Sequence, residues 1–509
     1  MRKSVLELLE IAVSAVPDKI LYGDTKTEWT YREFYDRSRK VGSALLKEIE
    51  KRPGRTRPRP VAVLVDRFVT PLQAFFGTLY SGNFYVPIDR RMPAQRMQSI
   101  IATLDARYLI AEQKDKKLLS LLNYEGKVLY LEELLESPVD EAALEEVKAD
   151  RLDTDPVYAT FTSGSTGVPK GVLVCHRSVL DLVDQFREEF KLNETCIFGN
   201  QAPYDFDGSV KDIYSALRNQ ATMYVVPQMM FSFPAKMIEY LNEKKINTII
   251  WAASALRIVE NLKGFGSQIP QYLRTIMFTG EALPVKVLHY WQQYLPEATY
   301  INLYGPTEIT CNCTYYIVDR EFSEDEALPI GRPFKNTGIL LLDGDHEVCE
   351  AGVQGEICVF GSCLALGYFN NPEKTAEAFV QNPLNSNYPE RIYRTGDLGK
   401  YDEKGLIHFI SRKDAQIKHM GHRIELGEIE VSVNALDFVE AGICFFDGEN
   451  IFLCYQSAEP CEKMILKALG KKLPPYMFPT KCVWYEKLPL NDHNKIDRVR
   501  LRNENTERN

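Results

Sequence analysis

The sequence predicts an α/β protein of layered, largely parallel sheets, with a smaller α+β unit at its C-terminal end. Between Val61 and Pro333, apolar runs that end in turn residues alternate with helical patterns, which is typical of βαβ units. Further along, the strand patterns are shorter, and hairpin-like turns occur at 343–345 and 402–405. A charged segment at 417–423 leads into the short α+β tail. We therefore expect a large N-terminal domain with a β-rich subdomain, followed by a small C-terminal domain.

Apolar patterns predict the elements of the N-terminal part in order. The first ten residues have the pattern of an amphipathic helix, and the basic segment 51–60, which contains three prolines, predicts an exposed loop. Residues 61–65 have the pattern of a buried strand, and residues 69–80 that of the helix after it. Three further apolar runs predict strands at 246–251, 275–278 and 299–303. Ligands of parallel sheets bind beyond the carboxyl ends of strands, so the loops after these strands are candidate sites.

Composition narrows the class of protein. The chain has 509 residues, of which 45% are hydrophobic and 26% charged, so about two to four folding units are expected. A net charge of -9 argues against nucleic-acid binding. The sequence has neither a signal-peptide pattern nor an apolar run of about 18 residues, so we expect a cytoplasmic protein without a membrane span. The 11 cysteines are scattered and predict free thiols, with Cys311 and Cys313 on one face of a strand.

Residues 161–171 interleave hydroxyl side chains with glycines and end in Pro-Lys-Gly. Glycines let backbone N–H groups approach an oxyanion closely, hydroxyls add donors, and a lysine adds a cation. The spacing differs from that of a P-loop, in which the lysine directly follows the last glycine. The segment predicts a polyphosphate site formed by Thr162, Ser163, Gly164, Ser165, Thr166, Gly167 and Lys170.

An ordered set of motifs extends along nearly the whole chain. In order, they are 30–33 (TYRE), 85–89 (YVPID), the loop above, 206–209 (FDGS), 304–308 (YGPTE), 355–357 (GEI), 393–397 (YRTGD), 424–430 (IELGEIE) and 494–498 (NKIDR). With this set the chain resembles the adenylate-forming superfamily, and within it the amino-acid adenylation enzymes of the nonribosomal-peptide type. Segment 200–207 (NQAPYDFD) is especially similar to the stand-alone D-alanine–carrier protein ligases. The resemblance implies an N-terminal domain of residues 1–413 and a mobile C-terminal lid domain of residues 414–509, with a hinge at Asp414.

The resemblance also implies a reaction and its catalytic residues. Such enzymes join a carboxylate to the α-phosphate of ATP, release pyrophosphate, and then pass the acyl group to a thiol. Both reactants are anionic, so catalysis requires in-line positioning and neutralisation of charge. By resemblance, Lys495 contacts the carboxylate and phosphate, Thr307 donates to the α-phosphate, and Glu308 holds Mg²⁺. The family usually has a glycine before this lysine, whereas this chain has Asn494. Asparagine adopts a positive φ more readily than most other residues, so we expect the turn to be kept.

Five more residues match the family's nucleotide site. Tyr304 and Gly305 lie in the motif that packs on adenine. Asn302 corresponds to the residue that recognises the adenine amino group. Asp397 matches the acceptor for both ribose hydroxyls. Arg412 is expected at the ribose or phosphate, with a purely structural ion pair as the alternative.

Asp207 distinguishes amino-acid substrates from plain acyl substrates. A buried ammonium needs a counter-charge, and this aspartate supplies it in the family. The alternative is a helix N-cap, because Asp207 precedes a helical pattern. If Lys211 points inward it favours an acidic or hydrogen-bonding substrate side chain; otherwise it is a solvated helix lysine. Motif alignment gives the rest of the side-chain pocket as Gly208, Ala255, Met277, Thr279, Leu303, Cys311 and Asn312.

These observations favour ATP-dependent activation of an amino acid, followed by transfer to the phosphopantetheine thiol of a separate carrier protein. Few residues follow Lys495, so we expect no carrier domain in this chain. Three alternatives stay open: D-alanine activation for teichoic acid modification of the cell wall, an acyl- or aryl-CoA ligase, and a non-catalytic adenylate-binding protein. Small Gly208 and the residues near Thr279 depart from the usual D-alanine ligase pattern.

Overall fold

The computed structural model describes residues 2–49, 58–162, 169–266, 268–348, 350–413, 416–489 and 496–506. Strands in this part of the chain are β1 (Ile20–Gly23), β2 (Glu28–Thr30), β3 (Pro60–Val65), β4 (Phe84–Asp89), β5 (Tyr108–Ala111), β6 (Lys127–Tyr130), β7 (Pro156–Thr162), β8 (Lys170–Cys175), β9 (Ile197–Asn200), β10 (Thr222–Val225), β11 (Thr248–Ala252), β12 (Thr275–Thr279), β13 (Thr299–Tyr304), β14 (Thr314–Ile317), β15 (Arg332–Pro333), β16 (Thr337–Asp343), β17 (His346–Glu347), β18 (Gln354–Gly361), β19 (Gly367–Tyr368), β20 (Phe379–Gln381), β21 (Arg391–Tyr401), β22 (Ile407–Arg412), β23 (Gln416–His419), β24 (His422–Glu425), β25 (Ala441–Phe446), β26 (Ile451–Gln456) and β27 (Lys481–Tyr485).

The α-helices are α1 (Leu6–Ala15), α2 (Tyr31–Glu48), α3 (Thr70–Tyr80), α4 (Ala94–Leu104), α5 (Lys116–Leu122), α6 (Leu131–Leu134), α7 (Glu141–Asp150), α8 (His176–Glu189), α9 (Gly208–Asn219), α10 (Pro234–Glu243), α11 (Ala253–Asn261), α12 (Val285–Tyr294), α13 (Pro372–Ala378), α14 (Leu426–Asn434), α15 (Glu462–Leu469) and α16 (Arg498–Thr506). None of these helices is both long and apolar enough to cross a bilayer.

Two large sheets form the N-terminal part. One has nine strands in the order β15-β14-β13-β12-β11-β9-β10-β1-β2, and the other has seven in the order β19-β8-β7-β4-β3-β5-β6. The central strands of both sheets are parallel, as the alternation of strands and helices predicts, and antiparallel strands lie at the edges. Helix α2 begins with a capping box between Thr30 and Glu33, which explains the TYRE motif in structural terms.

The strands after residue 333 are mostly antiparallel and form smaller sheets, in which β26 and β27 are a parallel pair. Strands β17-β16-β18-β21-β20 form a sheet to which β22 adds by pairing with β21. Beyond it, β23 and β24 form a hairpin, and β25, β26 and β27 a three-stranded sheet. Ile424, Ile429 and Leu453 belong to a hydrophobic core built only from residues of this last part. The predicted fold class, a layered α/β body followed by a small α+β unit, is confirmed.

The predicted strands of the N-terminal part are all present, with ends shifted by at most two residues. One local prediction is wrong. Thr310 and Cys311 have positive φ angles of 59° and 73°, so Cys311 and Cys313 do not share a strand face. The chain turns at this point so that β14 can run antiparallel to β13. Of the segment expected to be an exposed loop, Pro60 instead begins β3, and residues 51–57 lie outside the described part.

Candidate active site

The site lies where β13 ends in the nine-stranded sheet. Tyr304 is the last residue of this strand, Gly305 follows, and Thr307–Ile309 forms a short 3-10 turn. A Cβ at Gly305 would lie 2.6 Å from the Cα of Asn312, so the tight approach of the chain here requires glycine. The motif of residues 304–308 therefore presents its side chains at the carboxyl edge of the sheet, where ligands of α/β proteins bind.

Glu308 is fully buried at this edge. Tyr368 donates its hydroxyl to Oε1 at 2.7 Å, and Arg423 donates to Oε2 at 2.6 Å. Burial by itself raises the pKa of this carboxyl, but the charges of Arg423 and Lys170 and the bond from Tyr368 outweigh it and lower the pKa to about 2. Glu308 is therefore a carboxylate at any physiological pH.

Glu308 was predicted to hold Mg²⁺, and its donor set tests this fit. An ionised, buried carboxylate suits a hard divalent ion. However, both of its oxygens are hydrogen-bonded, one of them to a guanidinium. The described residues contain no cluster of three or more histidine, cysteine or acidic side chains that could hold a metal. In this arrangement Glu308 does not fit Mg²⁺, because the ion would have to displace Arg423.

A second group of residues surrounds Asp397, which is 1% exposed. Tyr304 donates its hydroxyl to one carboxylate oxygen, and Arg412 forms an ion pair with the other. Arg412 also donates to the backbone oxygen of Thr395 at 3.1 Å. The structural ion pair considered for Arg412 is thus present. Asn302 donates its side-chain amide to the Pro329 oxygen at 2.9 Å.

Asp207 lies beside Thr307 in a cavity lined by Phe206, Asp207, Gly208, Lys211, Thr279, Gly280, Gly305, Pro306, Thr307, Cys311, Lys418, Gly421 and Arg423. Burial raises the pKa of the Asp207 carboxyl, and the Lys211 charge and a hydrogen bond from Thr307 oppose that rise. Asp207 precedes α9 but its side chain makes no capping hydrogen bond. The N-cap alternative is therefore not realised, and the carboxyl faces the cavity.

The structure brings together part of the predicted side-chain pocket. Gly208, Lys211, Thr279 and Cys311 line the cavity with Asp207. Asn312 connects to it through its amide, which donates to Thr279 Oγ1 at 3.1 Å. The remaining three predicted residues are buried but do not contribute to the cavity wall; they are Ala255, Met277 and Leu303.

Part of the predicted phosphate site falls outside the described residues. This applies to Ser163, Gly164, Ser165, Thr166 and Gly167, as it does to Lys495 and Asp414. Thr162 ends β7 with a buried hydroxyl that has no hydrogen-bond partner in the described part of the chain. Lys170 begins β8, and its Nζ lies 3.9 Å from Glu425 and 5.1 Å from the Tyr368 ring centroid. Burial lowers the pKa of Lys170, while Glu308 raises it.

By resemblance, the loop at Gly421 was expected to enter the active site, whereas sequence reasoning missed its neighbours Lys418 and Arg423. Lys418, Gly421 and Arg423 come from the β23–β24 hairpin, and Lys418 Nζ lies 5.4 Å from the centroid of the Tyr304 ring. The Gly421 N–H donates to Glu281 at 2.7 Å. The charged segment 417–423 was noticed in the sequence, but nothing in its spacing identifies Glu308 as the partner of Arg423.

Comparisons with known proteins agree with this geometry. Residues 9–369 match the family model described as AMP-binding enzyme. The chain is 31% identical to tyrocidine synthase 1 of Brevibacillus parabrevis over 98% of its own length, but it spans only 45% of that synthase. It is 29% identical to D-alanine–D-alanyl carrier protein ligase of Bacillus licheniformis, over 99% of both chains.

Among solved structures, the adenylation domain AlmE of Vibrio cholerae, in complex with glycyl-adenosine-5'-phosphate, matches with a TM-score of 0.83. The match covers 99% of this chain and 98% of that one at 22% identity, and so establishes the likeness of fold. The motif set, the site at the end of β13 and the family match lead to one conclusion. The chain belongs to the family of AMP-binding enzymes.

Proposed function

We propose that the protein uses ATP to activate an amino acid as its aminoacyl-adenylate, releasing pyrophosphate, and transfers it to the phosphopantetheine thiol of a separate carrier protein. The observation that carries this proposal is the position of Asp207. Its buried carboxyl lies in the same cavity as Thr307, at the end of the strand that carries Tyr304. A carboxylate in a closed pocket is costly unless a cation pairs with it, and an α-ammonium group is such a cation.

In this proposal, each described residue of the site binds one part of the amino acid or of ATP. Asp207 binds the ammonium, and Thr307, whose single hydroxyl proton now bonds Asp207, donates to the phosphate once the ammonium has taken over Asp207. Tyr304 offers its ring to adenine, and Asp397 accepts from the ribose hydroxyls once ATP competes with its present partners. Lys495 remains our candidate for the cation that neutralises the developing charge. Mg²⁺ at Glu308 requires an arrangement in which Arg423 has released the carboxylate.

The β23–β24 hairpin supports the second half of the proposal. Lys418, Gly421 and Arg423 reach the cavity from this hairpin, which follows the expected hinge at Asp414. A lid that alternates between two placements can present Lys495 for adenylation and the hairpin for thiol transfer. We therefore propose residues 1–413 as the core and residues 414–509 as the lid.

The relatives support an amino-acid substrate and a carrier partner. The name of the Bacillus licheniformis relative states that it ligates D-alanine to a carrier protein, and it is matched over its full length. A D-alanine ligase is therefore the second candidate, favoured by that match and by segment 200–207. An acyl- or aryl-CoA ligase is disfavoured, because such an enzyme has no substrate cation to pair with Asp207.

Amino-acid-dependent ATP–pyrophosphate exchange tests the proposal. We expect exchange with one or a few amino acids among all common L- and D-forms, and none with simple carboxylic acids. Lys495→Ala should abolish exchange while ATP binding persists. Asp207→Ala should raise the KM for the amino acid far more than for its deaminated analogue. Exchange with carboxylic acids alone would overturn the proposal.

A further inference from the structure

Lys211 lies inside the substrate cavity. It follows Asp207 by four residues on α9, so the two side chains share one face of the helix, one turn apart. Lys211 is 2% exposed, and both residues line the cavity. It is therefore not the solvated helix lysine that was the alternative from sequence.

The ammonium of Lys211 has no hydrogen bond and no ion pair with any residue in the described part of the chain. Arg423, which lines the same cavity, pairs with Glu308 instead. The carboxylates that act on Lys211 electrostatically are Asp207 and Asp212. Asp212 points to Asn200, whose amide donates to it at 2.8 Å. A buried cation is thus left without a direct counter-ion.

We propose that Lys211 binds a carboxylate on the side chain of the substrate, and that the substrate is an acidic amino acid of the aspartate or glutamate class. This inference rests on the proposed function, in which Asp207 binds the α-ammonium. With a neutral amino acid, the substrate ammonium would compete with Lys211 for Asp207, and of the described acidic groups only Asp212 would also act on Lys211. Because the α-carboxylate is the group that reacts with ATP, only a second carboxylate on the side chain supplies an opposite charge for Lys211.

The geometry sets the size of this substrate. Side chains four residues apart on a helix have Cβ atoms about 5–6 Å apart, so Asp207 and Lys211 can both reach one small ligand. Gly208, between Asp207 and Lys211, adds no open space, because a Cβ there would lie 2.9 Å from the Phe206 ring and 3.2 Å from the Ala202 Cβ. The proximity of Asp207 and Lys211 fits a side chain of one or two methylenes that ends in a carboxylate.

The first experiment compares exchange supported by each acidic amino acid with exchange supported by its amide, in both chiral forms. We expect wild-type kcat/KM to favour the acid over the amide by about 100-fold, because removing one member of a buried charge pair has effects of this order. In Lys211→Met the ratio of acid to amide should fall by about 100-fold, and Lys211→Arg should restore part of it. Lys286→Met, an exposed lysine on α12, is the control that should leave the ratio unchanged.

A second measurement separates binding from catalysis and folding. Titration calorimetry with aspartyl-, glutamyl-, asparaginyl- and glutaminyl-sulfamoyladenosine should show the same preference in wild type and its loss in Lys211→Met. A wild-type enzyme that prefers a neutral amino acid would overturn this inference but leave the proposed function intact. Absence of exchange with every amino acid would overturn both. If Lys211→Met fails to fold, the acid-to-amide ratio of wild-type kcat/KM and the wild-type affinities for the four analogues still show whether the substrate is an acidic amino acid.

Discussion

Arg423 and Glu308 form an ion pair of 2.6 Å in which the side chains are 10% and 0% exposed. One residue comes from the β23–β24 hairpin and the other from the turn after β13, so the pair joins the C-terminal part to the site. The protein's own cation neutralises the carboxylate that the family motif assigns to a metal. Seating of the hairpin therefore opposes binding of Mg²⁺ at Glu308, because Arg423 already supplies the cation.

Replacing Arg423 should separate the two half-reactions. In Arg423→Met the hairpin loses its charged contact with Glu308, and transfer of the aminoacyl group to a thiol should slow by about 100- to 1,000-fold, since breaking a buried pair costs about 3–5 kcal/mol. Adenylation, for which we propose another placement of the lid, should change much less. Single-turnover thioester formation and ATP–pyrophosphate exchange measure the two steps. An equal loss in both would contradict the assignment.

A second buried ion pair holds the C-terminal part against the core. Arg96 of α4 lies 2.6 Å from Glu428 of α14, and their side chains are 4% and 2% exposed. Arg96→Met or Glu428→Leu alone should destabilise the protein by about 3–5 kcal/mol, and the double variant by much less, because each single change removes the direct ion-pair partner of a buried charge. Urea unfolding of the four proteins gives the coupling energy.

The control for this cycle is the exposed pair of Lys374 and Glu377, at 2.8 Å with 46% and 64% exposure. Breaking it should cost no more than about 1 kcal/mol. Additive effects of the Arg96 and Glu428 substitutions would show that the two residues do not stabilise each other.

Asp212 should make stability depend on pH. It is fully buried, and burial raises the pKa of its carboxyl from 3.8 to about 7, against the smaller opposing effects of Asn200 and Lys211. The folded state then holds a proton that the unfolded state releases, so this group's contribution to stability declines as pH rises from about 4 to about 7. Asp212→Asn removes the decline.

The melting temperatures of Asp212→Asn and wild type should therefore diverge from pH 4 to pH 7 and stay parallel above it. The variant gains at most about 4 kcal/mol, the value that linkage gives for a shift of about three pKa units. Asp345→Asn, at a side chain that is 78% exposed, serves as the control. A constant difference between Asp212→Asn and wild type across this range would refute the argument.

Asp397 should determine affinity for ATP. Asp397→Asn keeps an oxygen that accepts from Tyr304 but loses the negative charge that pairs with Arg412. It also loses one of the two carboxylate oxygens that would accept from the ribose hydroxyls. We expect the KM for ATP to rise by about 10- to 100-fold, the range for a charged hydrogen bond, with little change in the KM for the amino acid. Steady-state exchange at varied ATP measures this. A larger effect on the amino acid than on ATP would place Asp397 elsewhere in the reaction.

Local patterns were sufficient for most of the elements. The apolar run at residues 61–65 and the helix after it were predicted within one residue, because burial in a parallel sheet leaves a continuous apolar signature. The reversal at Thr310 and Cys311 was not predicted. Left-handed conformations of these residue types have no signature in a pattern of polar and apolar residues.

By itself, the sequence determined the order of strands and helices, the family, and the placement of residues 304–308 after a strand. Only the tertiary structure decided that Lys211 faces the cavity, that Asp207 makes no cap, and that Arg423 and Tyr368 both bind Glu308. The physical reason is distance along the chain. Periodicity reports which face of an element is buried, whereas the partner of a buried charge is chosen by packing between segments more than fifty residues apart.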